Sequence, residues 1–100
     1  MSETIDDLTV EYVEDGIVTL RQLDKVILTK GAWCTILYKI QTWNRSKQAY
    51  NPVSYTIRRY QKRAGEFKQR YKFTISSNEQ AQKIVDALTK WIEESEYFSY

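Results

Sequence analysis

Apolar and polar residues alternate with a period of two through the first three quarters of this chain and switch to a period near 3.6 in the last quarter. Leu8, Val10 and Tyr12 alternate with Thr9 and Glu11, and Asp15-Gly16 follows as a hairpin-type turn. Ile17 to Leu23 and Lys25 to Thr29 read as strand, one strand bent or bulged around Asp24, with the next turn at Lys30-Gly31. Trp33 to Trp43 is a long strand rich in β-branched and aromatic residues. A polar, flexible connection from Asn44 to Asn51 closes at Pro52. Val53 to Arg63 and Glu66 to Ser76 are two further strands joined at Ala64-Gly65. Ser77 then stands as a helix N-cap with Gln80 three residues on, the two ends of a capping box. Ala81, Ile84, Val85, Leu88, Trp91 and Ile92 fall on one helical face, opposite Lys83, Asp86, Lys90 and Glu93. The pattern predicts an α+β fold: an antiparallel curved β-sheet of four to five strands, then one C-terminal α-helix.

Within a strand, parity sorts side chains onto two faces. Cys34, Ile36, Tyr38 and Ile40 form an apolar set against the amphipathic Trp33, Thr35, Lys39, Gln41 and Trp43. Val53, Tyr55 and Ile57 oppose Thr56, Arg58, Tyr60 and Lys62, while Phe67, Tyr71, Phe73 and Ile75 oppose Lys68, Arg70 and Lys72. The simplest assembly puts all the apolar sets together beneath the Ile84/Leu88/Trp91 stripe of the helix. The cationic and aromatic sets then share the face left open to solvent.

Charge sharpens this picture. Of the 15 Lys and Arg residues, 12 lie between Lys25 and Lys72, a stretch whose one acid is Glu66. Residues 1–24 carry net −6 and residues 79–100 net −3, which hides a central +11 within an overall +2. Clustered charge of one sign attracts polyanions whatever the net charge. The 100 residues make a single domain, and 42% hydrophobic content with 14% aromatic residues is that of a folded chain. Residues 1–7 and 94–100 read as flexible acidic tails. The acidic start of the chain has no basic segment of the kind that opens a signal peptide, and no apolar run is long enough to span a membrane.

The chain has no histidine and one cysteine, Cys34. It therefore lacks the commonest general base, every Ser-His or Cys-His nucleophile pair and any cysteine-based zinc site. We expect no catalytic residues, no metal and no cofactor, and a reduced, intracellular setting: cytoplasmic or nucleoid-associated, or the host cytoplasm for a viral protein.

Cations interleaved with aromatic rings suit a single-stranded nucleic acid. Lys and Arg neutralise phosphates and release counterions, and rings stack on unpaired bases that a duplex would keep to itself. The residues expected to carry such binding are Lys39, Trp43, Arg58, Tyr60, Lys62, Lys68, Arg70 and Lys72, with DNA and RNA both open as ligands.

From Tyr55 to Leu88 the sequence resembles the single-stranded-DNA-binding family of transcriptional positive cofactor four and its bacterial and phage relatives. The matching pieces are Tyr55-Thr-Ile57-Arg58-Arg-Tyr60, Gly65-Glu66-Phe67-Lys68, Lys72-Phe-Thr-Ile75-Ser76 and the helix opening Asn78-Glu79-Gln80. The Whirly proteins share the general architecture. The chain departs from the family pattern in lacking a glycine near Phe73 and a proline after Asn78. The resemblance implies a homodimer joined through the helices, sheets that form channels for single-stranded DNA, and Arg58, Tyr60, Lys68, Arg70 and Lys72 on or near the DNA path. It points to an accessory role in transcription, replication or recombination.

A dimer has separate support in the apolar surplus at the chain end, where Leu88, Trp91 and Ile92 extend the helix stripe and Tyr97, Phe98 and Tyr100 follow. The acidic, aromatic end from Glu93 to Phe98 is a candidate for recruiting a protein partner. Two other readings use the same residues. A pleckstrin-homology-like module would turn the basic surface toward anionic lipid or an acidic peptide. A duplex binder would use the charge alone.

Overall fold

The computed structural model describes residues 4–97, with side chains through residue 95. It is a curled antiparallel sheet followed by one helix, the α+β architecture that the hydrophobic pattern predicts. The strands are β1 (Tyr12–Glu14), β2 (Ile17–Thr29), β3 (Trp33–Asn44), β4 (Ala49–Tyr50), β5 (Ser54–Arg63) and β6 (Glu66–Ile75), and the helix α1 is Asn78–Tyr97. Hydrogen bonding orders the sheet β1-β2-β3-β5-β6, with β4 paired to the end of β3. Asp15-Gly16 and Ala64-Gly65 have φ of 52° and 78°, and of 52° and 80°, the left-handed pairs that a two-residue hairpin needs to match strand twist. The register slips between Gln22 and Asp24, where the sequence places its bend, and again between Arg59 and Tyr60. Such bulges add local twist and curl the sheet. The connection after Asn44 is less open than expected, because Ala49 and Tyr50 fold back on Asn44 and Trp43 as a short hairpin.

One sheet face is covered, though not by the helix. The chain from Ile5 to Val10 runs across it, so that Leu8 and Val10 are buried against Cys34, Ile36, Tyr38, Ile40 and Tyr60. Leu8 and Val10 thus act as a lid on the core; β1 itself begins only at Tyr12. Residues 5–7 form one 3-10 turn, closed by Thr4, whose backbone N–H and hydroxyl both donate to Asp7. Those bonds hold the Asp7 carboxyl below its ordinary range. Lys25 anchors the segment from below: its Nζ donates to the carbonyls of Ile5, Asp6 and Leu8 at 3.2, 2.8 and 2.9 Å. The Val10 N–H is taken by Gln22 Oε1.

The expectation that α1 covers a sheet face is overturned. The helix leaves the end of β6 and meets the sheet only near its own first turns, so Val85, Leu88, Trp91 and Ile92 remain 49–61% exposed. The Cα radius of gyration is 16.5 Å, against about 13 Å for a compact domain of this length. Three contacts set its direction after the two-residue link at Ser76 and Ser77. Ser77 Oγ accepts the Gln80 N–H, the Gln80 side chain accepts the Ser76 N–H rather than completing the box to Ser77, and Tyr55 Oη bonds Asn78 Oδ1 at 2.7 Å. Of the apolar rows expected beneath the helix, that of β3 lies under Leu8 and Val10, and Tyr71 and Phe73 of β6 are left open.

Candidate functional site

Pairing between β3 and β5 sets the composition of each face. Cys34 stands opposite Tyr60, Ile36 opposite Arg58 and Tyr38 opposite Thr56, so the apolar parity of β3 lies beside the polar parity of β5. This corrects the grouping predicted from the separate strands. Tyr60 is 6% exposed and Arg58 3%, which removes Tyr60 as a platform for bases. The phenols of Tyr38 and Tyr60 share a 2.9 Å hydrogen bond inside the core. Burial raises both above the ordinary tyrosine value, with the mutual bond adding to the rise at Tyr38 and opposing it at Tyr60. Burial likewise pushes up the Cys34 thiol, as befits a small core residue.

The predicted cations divide between the faces. Arg58, Lys62 and Lys72 belong to the covered face, Lys62 lying over the Phe67 ring and Lys72 directly opposite Arg58. Lys39, Lys68 and Arg70 belong to the open face; Arg70 is the extra residue of the β6 bulge and reaches Gln61 Oε1 with its Nε at 3.1 Å. Lys39 and Lys68 stand beside Tyr55 and Gln61 on β5, six residues or about 20 Å apart along the strand. Trp43 is half-buried edge-on against Tyr50, ring centres 5.0 Å apart, and its indole N–H has no partner. Arg21 caps that cluster, its guanidinium 3.7 Å from the Tyr50 ring centre.

Three residues that sequence reasoning left out of the site give the open face its chemistry. The Trp33 and Tyr71 rings are stacked, centroids 6.2 Å apart and planes within 25°, and the Arg59 guanidinium lies 4.7 Å from the Trp33 ring centre. Tyr71 is 62% exposed. Lys68 and Arg70 flank this stack, and among the described residues none of Arg59, Lys68 and Arg70 forms an ion pair with a carboxylate. The missing signal was register, since Trp33, Arg59 and Tyr71 come from three strands and share a face only through the pairing of β5 with both neighbours.

Among the described residues no group of acids and cysteines stands ready to hold a metal ion, and no helix is long and apolar enough to cross a membrane. The acidic chain end divides: Glu93 and Glu94 lie on α1, whereas the side chains of Tyr97, Phe98 and Tyr100 fall outside the described residues. Comparison with family models, with curated proteins and with solved structures finds no match.

Proposed function

We propose that this protein is a non-enzymatic single-stranded-DNA-binding module that works as a homodimer and an accessory to replication, recombination or transcription. The observation that carries the reading is the Arg59–Trp33–Tyr71 stack on a solvent-facing sheet surface, bordered by Lys68 and Arg70 without acidic partners. Stacked rings offer a flat surface to an unpaired base, worth about 1–3 kcal/mol per base, and the flanking cations take the phosphates. Compared with the eight residues predicted from sequence, the proposed path keeps Lys39, Lys68 and Arg70 and adds Trp33, Arg59 and Tyr71. The local resemblance over Tyr55 to Leu88 implies the same class of ligand, but of the residues it places on the DNA path only Lys68 and Arg70 lie on this face. The dimer is supported by the uncovered stripe of α1, which a second copy would bury.

Fluorescence anisotropy with oligo-dT, with duplex DNA and with phosphoinositide vesicles separates this reading from duplex binding and from the lipid-binding alternative. Tyr71→Ala lowers oligo-dT affinity about 5- to 150-fold and leaves its salt dependence unchanged, because a stacked ring releases no counterions. Lys68→Ala with Arg70→Ala flattens the slope of log K against log salt by about 1.4, two single-strand phosphates at about 0.7 each. Parental affinity and slope in both variants would refute the reading.

A further inference from the structure

The covered face of the sheet is not covered along its whole length. Beyond the lid formed by Leu8 and Val10, a cavity of about 720 Å³ opens between β3, β5, β6 and the start of α1. Arg58 lines it. Its NH1 donates to Tyr12 Oη and to Gln69 Oε1, each at 3.0 Å, while its Nε is buried with no partner. A guanidinium cannot shed its proton within a folded protein, and here neutral groups alone meet the charge: the Tyr12 hydroxyl and ring and the Gln69 amide. Among the described residues no carboxylate pairs with it. Its cross-strand neighbour is a second cation, Lys72, which lines the same cavity. Like charges directly opposite on adjacent strands repel, and a buried charge without a counterion costs several kcal/mol.

Two further features converge on the same spot. Ser77 and Asn78 line the cavity at the N-terminus of a 20-residue helix, where free backbone N–H groups and the helix dipole favour an anion. Ser54 and Thr74 bring hydroxyls to the cavity from the neighbouring strands. The remaining wall is mixed, with Leu20, Ile40, Val53 and the half-exposed Tyr12 ring beside the polar Thr42 and Asn51. Two full cations, hydroxyls and a helix start suit a phosphate dianion better than a single carboxylate charge. The volume falls in the range of small-molecule sites and exceeds what a phosphate alone would occupy.

We propose that this cavity binds a nucleoside phosphate monoester, free or at the 5′ end of a strand, with Arg58 and Lys72 on the phosphate and the mixed wall against the nucleoside. The proposal does not rest on strand binding by the opposite face.

The test is calorimetric titration of the full chain with 5′-dTMP, inorganic phosphate and thymidine. dTMP binds, phosphate binds at least about tenfold more weakly, and thymidine does not bind. Arg58→Met and Lys72→Gln each weaken dTMP about tenfold or more, whereas Lys68→Ala with Arg70→Ala leaves it unchanged. Lys72 is exposed, so its variant decides the matter even where Arg58→Met fails to fold. Oligo-dT with and without a 5′-phosphate separates the two sources. A gain from the 5′-phosphate that Lys72→Gln abolishes identifies the strand end, and dTMP binding without that gain identifies the free nucleotide. Absence of dTMP binding up to about 10 mM, equal binding of thymidine, or parental affinity in Lys72→Gln would overturn the proposal. Loss of binding to oligo-dT bearing a 5′-hydroxyl would bear on the open face alone.

Discussion

Replacing Leu88 by glutamate tests whether a second copy covers the helix. Val85, Leu88, Trp91 and Ile92 are 52%, 49%, 61% and 57% exposed, so each keeps about half of its burial in reserve. Full burial of such a side chain is worth about 1.5–3 kcal/mol, leaving roughly 1 kcal/mol each, or roughly 8 kcal/mol for four positions on two copies. Association costs at least about 4 kcal/mol, which puts the stripe alone in the millimolar range and requires neighbouring surface to reach micromolar affinity. The difference between variants is firmer than that total. Leu88→Glu forfeits about 1 kcal/mol on each copy, about 30-fold in Kd, before the larger cost of placing carboxylates in an apolar contact. Glutamate is nearly as good a helix former as leucine, so the monomer keeps its fold. Sedimentation equilibrium from about 1 to about 500 µM reads both constants. A parental protein that stays monomeric throughout, or a Leu88→Glu variant with unchanged Kd, would refute the argument.

Two other outcomes follow from the covered face. Lys25→Met removes three charge-assisted bonds that hold the lid and should cost about 2 kcal/mol in urea unfolding, lowering Tm by about 8–16 °C; an unchanged midpoint would show that Leu8 and Val10 hold the lid unaided. The Tyr38 and Tyr60 phenols titrate above their unfolded value of about 10, so the stability tied to them is complete below that pH and is lost as pH rises toward their folded values. Tyr38→Phe should cost about 1 kcal/mol near neutrality and lessen the loss above about pH 10, seen as a shallower fall of Tm with pH; a parallel fall in both proteins would contradict the assignment.

Local grammar carried most of the architecture. Asp15-Gly16 and Ala64-Gly65 tolerate positive φ at low cost, β-branched and aromatic runs favour extended backbone, and Ser77 satisfies a helix N–H in its own first turn. These preferences act over a few residues, and β2, β3, β5, β6 and α1 formed close to where their patterns placed them, whereas the alternation at Leu8 and Val10 formed no strand and β4 was not foreseen. Part of the candidate surface was legible in the same way: Lys39 and Lys68 share the open face, whereas the alternation that grouped Lys68, Arg70 and Lys72 is broken by the bulge at Arg70, which turns Lys72 to the other face. Arg58 and Tyr60 were not, because burial depends on which neighbour a strand acquires.

Sequence by itself determined which residues share a side along an unbroken stretch of strand or helix, since that follows from the pleat and the helical turn; the bulge at Arg70 parted Lys72 from Lys68 within β6. Tertiary structure alone decided how those sides combine. Pairing Cys34 with Tyr60 and Ile36 with Arg58 joined an apolar row to a polar one, buried an arginine, and gathered Trp33, Arg59 and Tyr71 from three strands. A shift of one residue in that pairing would exchange the two faces of a strand while leaving its own alternation intact. Whether the helix folded back or projected was settled by the short Ser76–Ser77 link and its hydrogen bonds, and by a lid supplied from the other end of the chain. Both are agreements between distant segments, which no local periodicity encodes.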